Sequence, residues 1–399
     1  MKAGNLHYYL INLWSGNVMQ TNLAEQLFSK IMTWSAEDLT REMPNIEALA
    51  VFKYDQYEQY FSGMKYIESL ARWLNQFKTQ AEKIKAFEFV NKHLIFVSST
   101  ELSHFVAISF PDVIRPFIIK KVAAQNGIPE YNVNTIIKSR EYQTMLRQSL
   151  FLGLSDGAHT DIFRRSNPEI SNEQIYQTYE ITEKKAKDML KKLNRGLSDL
   201  HNGTKYSDDQ NRFHLLFLLD DFSASGISYL RYEDEDKDYD GKIFRFYKNI
   251  TDPKNPMYQL IDHSNCHICV ILYIATNQAI DNIQLMIRKV FDSAGIKCDI
   301  FCVYRLNNPN ISSFSSDTEL LKILEDYFDD DIIDEHYEKG KFSHPYLGFD
   351  ECALPLILNH NTPNNSIPLL WFEENRKYWG LFPRVSRHGG VKNGNKKSL

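Results

Sequence analysis

A chain of 399 residues, 43% hydrophobic and 24% charged, has length for two or three domains and the composition of an ordinary globular protein. Its net charge of −5 argues against a generally basic nucleic-acid binder, leaving only a local patch open. No run approaches the roughly 18–20 consecutive apolar residues of a membrane span, and Met1 to His7 lacks the apolar centre of a secretory signal. The expectation is a cytoplasmic protein without membrane contact.

Residues 1–130 read as a mainly helical region. Leu23, Leu27, Ile31 and Met32 form a helix-like stripe, and Ser35 to Asp38 is a helix start. A longer helical pattern runs from Tyr57 to Phe77, with Ile67, Leu70, Trp73 and Leu74 on one face. Ala81 to Val90 gives another helix, and Ser99 to Glu101 opens a further one. Trp34 and Trp73 read as packing residues. Pro129 and the polar stretch Tyr131 to Asn134 mark a boundary.

From residue 136 to about 385 strands and helices alternate, the pattern of an α/β sheet. Leu150 to Leu154 is a short buried strand that runs into the polar turn Ser155 to His159. Glu173 to Leu193 is helical and rich in charge. A strand at 213–219 follows, then strands at Ile268 to Ala275 and Ile300 to Val303, with a helix from Ala279 to Val290 between them. Residues 386–399 are rich in Gly, Lys and Asn and read as a disordered tail. No internal repeat is evident.

The most informative stretch is 213–228. The strand ends in two carboxylates, Asp220 and Asp221, and the small-residue turn Ser223, Ala224, Ser225, Gly226, Ile227 and Ser228 follows. Backbone N–H groups in such a turn wrap a phosphate, the more so if a helix starts there. The acids suit sugar hydroxyls or a hydrated metal ion. A capped turn with no ligand is the plainer alternative.

Ligands of open α/β sheets bind at the carboxyl ends of the strands. The turn Ser155 to Ala158 follows a strand and therefore falls where it could lie beside Ser223 to Ser228; a surface turn held by Asp156 fits as well. His360, Asn361, Asn364 and Asn365, in His-Asn-Thr-Pro-Asn-Asn-Ser-Ile-Pro-Leu-Leu-Trp371, suggest a rigid loop bonding backbone or a ligand. An elaborate turn ahead of a packed Trp371 is the simpler reading.

Two patterns suggest metals and carry less weight. Cys266-x-x-Cys269 and Cys298-x-x-x-Cys302 lie near His263 and His267, but the second spacing is irregular and both pairs run into strands. Buried free thiols explain them. Asp236, Asp238 and Asp240 begin like a calcium loop, yet Tyr247 stands where the bidentate Glu belongs. The acidic run Glu233 to Asp240 reads as a solvated loop.

The strand, acid pair and turn resemble the phosphoribosyl-pyrophosphate motif of type I phosphoribosyltransferases. That resemblance implies a parallel-sheet α/β fold, Asp220 and Asp221 facing the ribose 2′ and 3′ hydroxyls, and Ala224 to Ser228 around the 5′-phosphate. It also implies Ser155, Asp156 and Gly157 as the pyrophosphate loop, with Arg164 or Arg165 to balance charge. Ala224 stands where purine-salvage members carry a further Asp, which argues against an ordinary purine-salvage enzyme. With Gly348-Phe-Asp-Glu-Cys-Ala and the Asn-Pro block, the chain resembles more closely the PRTase-CE family, divergent phosphoribosyltransferase-like proteins of bacterial conflict systems. This implies an effector of antiviral defence, with Mg²⁺ on the ligand's pyrophosphate and possible shares in it for Asp220 or Asp221. Partner proteins or a nucleoprotein complex are implied too, retron reverse transcriptases among the candidates. Transfer at ribose C1′, cleavage of a nucleotide's glycosidic bond, and nucleotide sensing without turnover all remain open.

Overall fold

The computed structural model describes residues 21–61, 63–204, 211–233, 238–306, 316–334, 337–341, 343–373 and 376–384. The expected tail, 386–399, and Asp236 lie outside them. Backbone contacts divide the chain into two compact units, Met1–Ser99 with Pro309–Leu399, and Thr100–Asn308. The boundary expected near 130 thus falls inside the second unit.

Among the described residues the first unit opens with helices α1 (Thr21–Met32), α2 (Ala36–Phe52), α3 (Tyr66–Asn75) and α4 (Gln80–His93). Ser35 and Thr79 start α2 and α4 with reciprocal capping boxes to Asp38 and Glu82. The helix expected over 57–77 begins only at Tyr66. Residues before it are claimed by tertiary bonds: Glu58 N–H donates to Asn359 O, and Tyr57 OH meets Thr362 Oγ1 at 3.0 Å. Helical pattern alone cannot compete with such contacts. Strand β1 (Ile95–Val97) ends this N-terminal part.

The second unit begins one residue into α5 (Ser99–Ile108), which passes through a π-helical stretch, Ser109–Ile114, into α6 (Arg115–Asn126). Pro111 and Pro116 interrupt the regular ladder here. By length and composition Ser99–Asn126 could cross a membrane. Its inner side is core: Ile114, Ile118 and Val122 are fully buried, and Phe117 packs edge-on to Phe217 and Phe301.

The rest of the unit is doubly wound. In chain order come α7 (Val133–Ile137), α8 (Arg140–Arg147), β2 (Ser149–Gly153), α9 (Thr160–Ser166), β3 (Ile175–Tyr176), α10 (Glu183–Leu200) and β4 (Leu215–Ser223). A small hairpin of β5 (Arg231–Glu233) and β6 (Asp238–Asp240) precedes α11 (Lys242–Thr251) and α12 (Pro256–Leu260). β7 (His267–Thr276), α13 (Asn277–Val290) and β8 (Lys297–Leu306) complete it. The five long-sheet strands run parallel in the order β3-β2-β4-β7-β8. This is the parallel α/β sheet expected for a phosphoribosyltransferase-like fold. Nearly every residue of β2, β4 and β7 is buried, as strands covered on both faces require.

Two departures come from short elements. The helix expected over 173–193 starts at Glu183, capped by Thr182, because Ile175 and Tyr176 are taken into the sheet beside Phe151 and Leu152. No helix follows the 223–228 turn; the hairpin intervenes, and the next helix begins at Lys242.

The chain then returns to the first unit with α14 (Thr318–Asp326), β9 (Leu356–Leu358) and α15 (Pro368–Trp371). β9 pairs in parallel with β1, Ile95 opposite Leu356. Trp73 lies in the core of this unit and donates its indole N–H to Leu369 O at 2.8 Å.

Candidate functional site

The strand order reverses between β2 and β4: the chain steps from β2 outward to β3, then crosses back to β4 on the other side. Ligands of doubly wound sheets sit at the carboxyl ends of the strands at such a switch point. The two loops singled out from sequence, 155–157 after β2 and 220–228 at the end of β4, meet there.

Asp220 lies at the centre and is fully buried. Its Oδ1 accepts from Ser155 Oγ, and its Oδ2 accepts from Tyr229 OH at 2.7 Å and Lys242 Nζ at 2.5 Å. Lys242 Nζ also sits 4.9 Å from the Tyr229 ring centre. Burial, and next the charge of Asp221, push the Asp220 carboxyl up from the usual range, while Lys242 and Ser155 oppose the shift. Burial and Asp220 hold the Tyr229 hydroxyl well above its ordinary value, so it stays a donor.

Asp221 is half-buried, and its carboxylate accepts from Phe222 N–H at 2.8 Å. The backbone of Gly157 lies directly against it: a Cβ there would come within 2.5 Å of Asp221 Cγ. Tyr273 OH donates to Ala158 O at 2.6 Å and fixes the turn that carries Gly157. Of the two arginines, Arg165 is paired with Asp161 at 2.8 Å and Arg164 is exposed.

The 223–228 turn is tied to α13. Thr276 Oγ1 donates to Ala224 O, and Asn282 Nδ2 donates to Ser225 O at 2.9 Å. Gly226, at φ +82°, packs so closely on Ala279 O and Ile283 that a side chain has no room. In a trans peptide the C=O and the following N–H point in opposite directions. With the carbonyls of Ala224 and Ser225 turned to α13, the N–H groups of Ser225 and Gly226 point away from it. Neither finds an acceptor among the described residues. Ser223 Oγ, also buried, has no partner either. Two successive N–H groups aimed the same way form an anion-binding concavity. Ile227 N–H turns back to Ser225 Oγ at 3.4 Å, and Ser228 is exposed.

The Asn-Pro block belongs to the first unit and serves its packing. Asn365 Nδ2 donates to Phe349 O at 3.1 Å, Ser366 Oγ to Leu356 O at 2.6 Å, and Trp371 Nε1 to Ser366 O at 2.7 Å. Asn364 O accepts from Phe349 N–H, Asn361 closes a turn with Leu358, and His360 O accepts from Gln59.

Among the described residues no group of three or more His, Cys, Asp or Glu side chains is placed to hold a metal ion. Cys266, Cys269, Cys298 and Cys302 are free thiols, and burial pushes Cys266 up to about 12 and Cys302 to about 11. His267 is bonded to Asp299 at 2.6 Å instead. Asp238 and Asp240 pair with Lys248 and Arg231 in the hairpin.

Sequence reasoning missed Lys242, Tyr229, Tyr273, Thr276 and Asn282. Only Tyr229, directly after the turn, carried any local signal.

A parallel doubly wound domain, with an acid pair and a small-residue turn at its switch point, is that of a phosphoribosyltransferase-like protein. The chain belongs to the PRTase-CE family, whose model matches residues 70–384, more than three quarters of its length. No curated protein and no solved structure matches it.

Proposed function

We propose that this protein is an effector of bacterial antiviral defence that binds phosphoribosyl pyrophosphate or a related nucleotide at the β2–β4 switch point. The 5′-phosphate lies on the N–H groups of Ser225 and Gly226, the ribose faces Asp221, and the pyrophosphate faces Ser155 to Gly157. The observation that carries this reading is the pair of directed, unsatisfied N–H groups beside a half-open carboxylate. Mg²⁺ suits this oxygen-rich setting, but the described side chains make no cage for it. It would arrive on the ligand's pyrophosphate, and the half-buried carboxylate of Asp221 would share it.

Displacement at ribose C1′ breaks the bond to pyrophosphate, which leaves with the electron pair, while an acceptor forms the new bond. Positive charge builds on the ring, and the Asp221 carboxylate offsets it. The cytoplasm, with its nucleotide pool, is the setting this reading requires, and a defence partner or nucleoprotein complex would control access.

The enclosure of Asp220 favours a second reading, a nucleotide sensor without turnover that signals to such a partner. Calorimetric titration with phosphoribosyl pyrophosphate, with and without Mg²⁺, tests the site. Mg²⁺-dependent binding that weakens in Asp221→Asn supports it, and silence from the folded wild type sinks it. Product formation then separates enzyme from sensor.

A further inference from the structure

The acid pair invites the assumption that both carboxylates grip the ribose. The hydrogen bonds around Asp220 say otherwise. An ionised carboxylate offers about four acceptor positions. Three of those on Asp220 are taken, by Ser155, Tyr229 and Lys242, and the side chain has no exposed surface. Its neighbour Asp221 is half-buried at the mouth of the loop. Lys242 reaches Asp220 from the first residue of α11, 22 positions along the chain, and keeps a quarter of its own side chain exposed.

Resting on the reading above, we propose that Lys242 is a specificity-determining positioning residue: by occupying Asp220 it leaves Asp221 as the only carboxylate that grips the sugar. The site therefore accepts pentose 5-phosphates that lack one of the two ring hydroxyls. The deoxyribose series belongs to its ligand class if Asp221 holds the 3-hydroxyl, and the 3-deoxy series if it holds the 2-hydroxyl.

Discrimination at such a site comes from unpaired groups. A site built to hydrogen-bond a hydroxyl rejects the analogue lacking it by about 10⁴–10⁵, because a buried polar group is stranded. Asp220 is already satisfied within the protein, so removing the hydroxyl that would face it strands nothing. Only the hydroxyl opposite Asp221 is policed.

The test compares ribose 5-phosphate with its 2-deoxy and 3-deoxy analogues by calorimetry on the intact protein. One analogue should bind within about threefold of the parent and the other at least a hundredfold weaker. Lys242→Arg should keep that pattern. Lys242→Met, which releases Asp220, should tighten discrimination against the tolerated analogue at least tenfold; if that variant does not fold, the wild-type ratios decide. Rejection of both analogues by more than a hundredfold overturns this inference and leaves the phosphoribosyl reading standing. Acceptance of both overturns it as well, since Asp221 would then grip neither hydroxyl. Failure of the wild type to bind either ribose 5-phosphate or phosphoribosyl pyrophosphate overturns the phosphoribosyl reading and this inference with it.

Discussion

Gly157 and Asp221 touch backbone to carboxylate, with only 2.5 Å between Asp221 Cγ and the place a Gly157 Cβ would occupy. Gly157→Ala must move either the turn or the acid. The expected result is a loss of about 1–3 kcal/mol in stability and at least a tenfold loss in affinity for phosphoribosyl pyrophosphate. Thermal unfolding and calorimetry read the two separately. Unchanged affinity would mean that Asp221 can shift without consequence.

Asp220, fully buried, and Lys242, a quarter exposed, form an ion pair whose halves are not equivalent to its whole. Removing Lys242 strands a buried carboxylate, so Lys242→Met should cost about 3–5 kcal/mol. Asp220→Asn/Lys242→Met, with the charge gone from both sides, should recover most of that. A urea double-mutant cycle measures the coupling, and simple additivity of the two single losses would show the pair to be idle.

In the first unit, Ser366 is fully buried and bonds Leu356 O, and Trp371 bonds Ser366 O in turn. Ser366→Ala should destabilise by about 1–3 kcal/mol through the stranded Leu356 carbonyl. Affinity for phosphoribosyl pyrophosphate should stay within twofold. A selective loss of binding in a stable Ser366→Ala protein would return the Asn-Pro block to the list of ligand sites.

Acid should weaken the fold before the carboxylates titrate. Burial pushes His214 below the usual histidine value against the pull of Asp262. Burial and then Lys121 push His267 down against Asp299. Above about pH 6.5 both are neutral, folded or unfolded. As pH falls through that value the unfolded chain takes up protons that the folded chain accepts only at lower pH, so stability drops. The unfolding midpoint should fall between pH 7.5 and 5.5, and His214→Gln/His267→Gln should flatten the slope. An equal slope in the variant would assign the effect elsewhere.

The acid pair, the small-residue turn and the loop after β2 were legible in the sequence because each is a local pattern: apolar run, acids, small residues. Strands β2, β4, β7 and β8 were legible as apolar runs for the same reason. β3 was not, since two residues carry no periodicity. Lys242 was not, since a lysine at a helix start looks solvated until the hairpin folds it back onto Asp220. The Asn-Pro block was legible as a rigid turn, whereas its partners, Phe349 and Leu356 among them, are set by packing rather than spacing.

The pairing of β1 with β9 bears on how the molecule is made. Ile95 must wait for Leu356, with the whole of 100–308 synthesised between them. Contacts so distant along the chain are slow to close, and nascent chains fold in the order their parts emerge. On the ribosome the sheet-bearing unit is complete while the helices before it still lack their closing segment. Pulse proteolysis of nascent chains arrested near residue 345 should find 100–308 protected and 21–98 cut. Early protection of the helices would show that they hold together without the returning strand.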